Sequence, residues 1–161
     1  MSLDRKRENA CFTKSARRIE GERIESAVRR LEYWKTFIAG LRLDDPDVNL
    51  PKANSLGNLR FNLQSRDLWI TVYAASSLGR IGVFVRGHPD YYPKLVRKRR
   101  AIVAQLKEPP WWECKDGTWS VGVSCNADPK NIADWTRQQK LLATRLNRFV
   151  GAFKPFVGTC P

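Results

Sequence analysis

Between Leu59 and Arg86 the apolar residues repeat every second position in three successive runs, and this alternation constrains the fold more than any other feature. Leu59, Phe61 and Leu63 alternate with Arg60, Asn62 and Gln64, which predicts a strand. Leu68–Ala75, with Trp69, Ile70, Val72 and Tyr73, predicts a second strand, and Arg80–Arg86, with Ile81, Val83 and Val85, a third. The links Gln64–Asp67 and Ser76–Gly79 are hairpin length, so the three strands form an antiparallel meander. A second pattern of the same kind follows. Asp116-Gly117 separates Trp111–Lys115 from Thr118–Cys125 and supplies the two residues a tight hairpin prefers. That register pairs Lys115 with Thr118, Cys114 with Trp119 and Glu113 with Ser120.

Helical periods flank these runs. From about Glu22, residues Ile24, Val28, Leu31, Trp34 or Lys35, Ile38 and Leu41 fall on one side, and Asp44-Asp45-Pro46 ends the helix near Leu43. Residues 1–20 carry basic clusters without an apolar stripe and read as loosely ordered. A helix over Asp90–Lys107 places Tyr92, Leu95, Val96, Arg99, Ile102, Val103 and Leu106 inward, and Glu108-Pro109-Pro110 stops it. Asp128 and Pro129 suit the start of a closing helix whose stripe is Ile132, Trp135, Leu142, Leu146, Phe149, Val150 and Phe153. The expected fold is α+β: helix, three-stranded antiparallel meander, helix, β-hairpin, helix. Residues 22–157 form a single domain in this reading, after a basic, partly flexible extension over 1–21 and before a tail over 158–161.

At 161 residues, 42% apolar and with six Trp, the chain is built to bury a core. Its apolar runs are too short to cross a bilayer and no signal-peptide core follows the N-terminus, so a cytoplasmic protein is expected. Four cysteines without a CxxC pair, and one histidine, give no zinc pattern, and no cofactor or metal is expected.

The formal charge of +13 is unevenly placed. Residues 1–30 carry +4, residues 94–107 +6 and residues 137–154 +5, leaving the rest slightly acidic. Cations confined to three helices point to a polyanion, DNA or RNA. The expected contacts are Lys94, Arg97, Lys98 and Arg100, continued by Arg137, Lys140, Arg145 and Arg148, with Arg17 and Arg18 in an N-terminal arm. Trp111 and Tyr91 are the candidate base-stacking platforms. No DNA-reading motif is present, so backbone and shape contacts are expected. A rival reading is an interaction subunit whose basic helices hold an acidic partner protein, such as an effector nuclease. A basic helix lying on anionic membrane fits less well, because the apolar stripes are needed for the core.

Pro89-Asp90 followed by Glu113-Cys114-Lys115 has the residue types of a PD…ExK nuclease, in which carboxylates hold Mg²⁺ and a Lys steadies developing charge. An entire helix separates the two halves, Asp90 suits a helix start, and alternation puts Glu113 and Lys115 on the polar side of a hairpin. The reading is therefore non-enzymatic, with a metal-dependent nuclease as the minority alternative.

Leu31-Glu32-Tyr33-Trp34, the meander, the helix before Trp111-Trp112, and Trp135 followed by Phe149-Val150-Gly151-Ala152-Phe153-Lys154-Pro155 resemble the bacterial and archaeal family catalogued as domain of unknown function 4268. The resemblance spans roughly residues 31–157. It implies an accessory role beside nuclease-like or restriction-like modules, in genome defence or mobile-element biology, and it brings no catalytic residues. The helix before Trp111 is mixed-charge or acidic in similar sequences and strongly basic here, which implies a specialised partner.

Overall fold

The computed structural model describes the backbone over residues 3–159 and the side chains over 16–159. Cys11, Cys160 and the basic side chains before residue 16 lie outside the described ones. The chain is α+β, with α1 (Leu3–Gly40), β1 (Asn58–Leu63), β2 (Ser65–Ala75), β3 (Arg80–Gly87), α2 (Tyr91–Arg97), α3 (Arg99–Leu106), β4 (Trp111–Lys115), β5 (Thr118–Asn126) and α4 (Trp135–Phe153). Among the described residues no helix is long and apolar enough to cross a membrane.

The three-strand meander and the hairpin do not stay separate. β5 pairs antiparallel with β3, so the five strands form one sheet in the order β1-β2-β3-β5-β4. The hairpin register is as expected, Lys115 to Thr118, Cys114 to Trp119 and Glu113 to Ser120. Asp116 and Gly117 both take positive φ, 51° and 75°, as a two-residue turn matched to strand twist requires. The first reversal is tighter than the sequence suggested: β2 begins at Ser65, and Gln64 turns the chain alone with φ 57°.

Alternation divides the sheet sharply. Leu59, Phe61, Leu63, Leu68, Ile70, Val72, Ile81, Val83, Val85, Trp119, Val121 and Val123 face one way and are buried. Against them pack Tyr33, Trp34 and Phe37 of α1 with Leu41 just past its end, Tyr91 and Leu95 of α2, Ile102 and Leu106 of α3, and Leu142, Leu146, Phe149 and Phe153 of α4. Burial is the main stabilising contribution here, at about 1.5–3 kcal/mol for each large apolar side chain. Two buried polar groups tie α1 to α4 and to the loop before β1. The Tyr33 hydroxyl donates to Gln138 Oε1 at 3.2 Å, and the Trp34 indole donates to the Leu56 carbonyl at 2.8 Å. Burial raises the Tyr33 phenol well above its ordinary pKa, with the charge of Asp134 adding to the effect.

The helix bounds and stripes depart from the expected ones in three places. α1 starts far before Glu22, and Ile24 and Val28 are solvent-exposed, at 58% and 56%, rather than core. Its first half needs no stripe. Helix-forming Arg, Glu, Ala and Lys dominate it, and Arg18–Glu22 and Arg29–Glu25 are ion pairs one turn apart. The helix expected over Asp90–Lys107 breaks at Lys98, whose ψ of 13° leaves the helical range and whose N–H bonds the Leu95 carbonyl. Lys94, Arg97, Lys98 and Arg100 would stack as like charges three and four apart in a continuous helix, and the break relieves that. The closing helix starts at Trp135 and not at Asp128. The Asp128 carboxylate instead accepts from the Lys130 N–H in a local turn, which leaves Ile132 exposed.

Gly21 lies inside the solvent-exposed part of α1, where an added Cβ meets nothing within 4 Å. Gly21→Ala is expected to stabilise this helical segment by about 0.5–1 kcal/mol. Circular dichroism should show a higher helical signal on warming than the parent retains.

Candidate nucleic-acid interface

α2 and α3 hang their apolar sides on the core and turn their cations outward at the junction between them. Arg97, Lys98, Arg99 and Arg100 are consecutive and all exposed. Among the described residues no carboxylate forms an ion pair with any of them. Arg99, expected inward, is part of this cluster because the break at Lys98 rotates α3. Its guanidinium lies 5.2 Å from the Trp112 ring on edge strand β4. Lys94 is half-buried and its ammonium donates to the Thr159 carbonyl, so it pins the C-terminal segment more than it faces solvent.

The α4 cations do not extend this surface. Arg145 is 7% exposed and donates two hydrogen bonds to Glu108, at 2.8 and 2.7 Å. Burial pulls its pKa down, and the bonds it donates to Glu108, with that carboxylate's charge, more than reverse this, so the guanidinium stays charged. It is a structural group locking α4 to the end of α3, and the expectation that it contacts phosphate is corrected. Arg148 also faces α3, where Nη1 donates to the Leu106 carbonyl at 3.4 Å and complements the negative helix end. Arg137 is exposed but forks onto Asp134 at 2.6 Å through both Nε and Nη2. That pair holds the Asp134 carboxyl below its ordinary range, with Gln138 adding a further bond. Lys140 is exposed and has no ion pair among the described residues, but it lines a groove with Phe37, Gly40 and Leu41 on the α1 side of α4. Arg17 and Arg18 are exposed on the outer part of α1, Arg18 facing Glu22 at 3.6 Å.

The two stacking candidates separate. Tyr91 is 1% exposed inside the core and offers no face to a base, which corrects that expectation. One helical residue away, half-buried Tyr92 takes the seam against Trp112 and Trp119. Trp111 is half-exposed on the outer face of β4, with its indole N–H donating to Ser120 Oγ at 3.3 Å.

The nuclease-like residues are not gathered into one site. Glu113 and Lys115 line a cleft of about 330 Å³ with Arg86, Asp116 and Thr118, and Asp90 is not among its walls. Asp90 precedes α2 and faces His88, with Nδ1 to Oδ2 at 3.3 Å. Among the described residues no three His, Cys, Asp or Glu side chains converge as a metal site would need.

Arg60, Trp69, Tyr73, Phe84 and Arg86 stand on the sheet face opposite the buried one, outside the expected contact set. In Leu68–Ala75 both alternating sets are apolar or aromatic, so one of the two had to leave the core. That was the available signal. The chain matches no protein-family model, no curated protein and no solved structure.

Proposed function

We propose that this protein binds nucleic acid without cutting it, gripping the phosphate backbone through the cationic junction of α2 and α3. The observation that carries this reading is the run Arg97–Arg100, four exposed cations in sequence with no carboxylate paired to them among the described residues. Exposed like charges cost stability, and among the described residues no carboxylate pairs with them, so a polyanion is a fitting complement. The separation of Asp90 from Glu113 and Lys115 supports a binding role over a nuclease. The family resemblance adds a setting to the proposal, an accessory subunit beside an effector nuclease in a defence or mobile-element system.

Fluorescence anisotropy with labelled DNA and RNA across a salt series tests it. The parent should weaken steeply with salt. Replacing Arg97, Lys98, Arg99 and Arg100 together by Gln should reduce affinity about tenfold or more and flatten the log–log salt slope by about 3. Weak binding that ignores salt and survives the substitutions would overturn the reading and favour an acidic protein partner.

A further inference from the structure

The face of the sheet turned away from the helices has its own chemistry. Alternation places Trp69 and Tyr73 of β2, Phe84 of β3 and Trp111 of β4 there, and none of the four belongs to the buried core. All four are partly buried and keep some exposure. Two of the rings, Tyr73 and Trp111, lie over glycines, and the Tyr73 and Phe84 planes are tilted by 47°. A Cβ on Gly82 would stand 2.7 Å from the Tyr73 ring, and one on Gly122 2.3 Å from the Trp111 ring. The Tyr73 and Phe84 centroids are 5.9 Å apart, and Phe84 Cβ borders the Gly122 position from the other side. The rings therefore form a strip across β2, β3, β5 and β4, three strand intervals or about 14 Å long.

Cations stand on the same face. The Arg60 guanidinium lies 3.9 Å over the Trp69 ring and that of Arg86 4.9 Å over Phe84. Both arginines are exposed. Arg80 and Lys115 share the face, against Asp67 and Glu113. A face kept merely soluble would need no flat aromatics, and one made for an apolar protein partner would not cap its rings with guanidinium groups. Aromatic planes for bases beside guanidinium groups for phosphates is the arrangement that holds unpaired nucleotides. Charge complementarity selects the same occupant, since the cationic α2–α3 junction stands at the same edge strand, where Arg99 covers Trp112 on the helix side of β4 and the preceding residue, Trp111, is on the open side.

We infer that the open sheet face binds single-stranded nucleic acid, with bases stacking on Trp69, Tyr73, Phe84 and Trp111 and phosphates drawn to Arg60 and Arg86. This rests on the nucleic-acid reading above and adds the strandedness of the ligand and a second surface.

The test uses the full chain with fluorescein-labelled oligo-dT, oligo-U and a duplex of equal length at one salt concentration, while tryptophan emission is followed. Either single strand should bind more tightly than the duplex and quench the emission. Trp69→Leu and Trp111→Leu should each weaken single-strand binding about tenfold, with an unchanged salt slope. Arg60→Gln with Arg86→Gln, exposed changes that do not threaten the fold, should weaken it as well. Duplex bound as tightly as single strands, with all of these variants at parental affinity, overturns this inference while leaving the junction reading intact. No binding by the parent sinks both. A parent that sediments as a dimer and becomes monomeric in Trp69→Leu would assign the face to a second copy and also overturn it.

Discussion

Arg145→Ala is expected to destabilise the protein by about 3–5 kcal/mol, the loss seen when one partner of a buried ion pair is removed. Arg145 sits among core residues of α4, and both of its bonds reach Glu108, just past the end of α3. Its removal leaves the Glu108 carboxylate without its partner in a position three-quarters shielded from water, and it opens a gap between the two helices. Urea unfolding read by far-ultraviolet circular dichroism gives the magnitude. The paired replacement Glu108→Gln with Arg145→Met should recover most of the loss, because neither an unpaired charge nor a cavity remains. At a temperature where Arg145→Ala stays folded, nucleic-acid affinity should match the parent. A surface role for Arg145 would predict the reverse pattern, with little change in stability and a clear loss of binding.

Gly82→Val should be nearly as damaging, at about 3 kcal/mol, the upper end for overpacking. A Cβ at this position of β3 falls 2.5 Å from the Val123 carbonyl oxygen, a backbone atom held in the β3–β5 ladder, and 2.7 Å from the Tyr73 ring. The carbonyl cannot move without breaking strand pairing. Gly122→Val makes the informative comparison. Its obstacles are the Trp111 ring, which sits on a five-residue edge strand and can swing into solvent, and Phe84 Cβ at 2.7 Å, which is fixed to the β3 backbone. That variant should lose less, about 2 kcal/mol. It should also change the tryptophan emission, since the indole loses its floor. Thermal melts of the two variants side by side show how much of the Gly122 clash the Trp111 ring can relieve by moving.

What could be read from the sequence follows the range of each interaction. The β4–β5 register was legible because Asp116-Gly117 dictates a local turn and alternation does the rest. The docking of that hairpin onto β3 was not, because the pairing joins strands separated by two helices and depends on which sheet edge remains open. Tyr91 and Tyr92 exchanged roles through a single step of about 100° around the helix, a difference set by where the helix begins. The four α4 cations looked alike in sequence. Only the fold shows that Arg145 meets Glu108 while Lys140 is exposed, since the partner lies 37 residues away. The open-face aromatics were hidden by their own apolar character, which reads as core until the helices are seen to cover only one side.

α1 is anchored by Tyr33, Trp34, Phe37 and Leu41 near its C-terminal end, while residues 16–25 are exposed throughout. At 38 residues it measures about 57 Å, longer than a domain of this size is wide. A rigid rod fixed at one end carries rotational phase. One residue inserted beside Gly21 would turn everything before it by about 100° and advance it by about 1.5 Å, leaving the sheet untouched. Four inserted residues would nearly restore the original direction. Any activity that depends on how Arg17 and Arg18 are oriented relative to the sheet should therefore oscillate with insertion length and not decay with it.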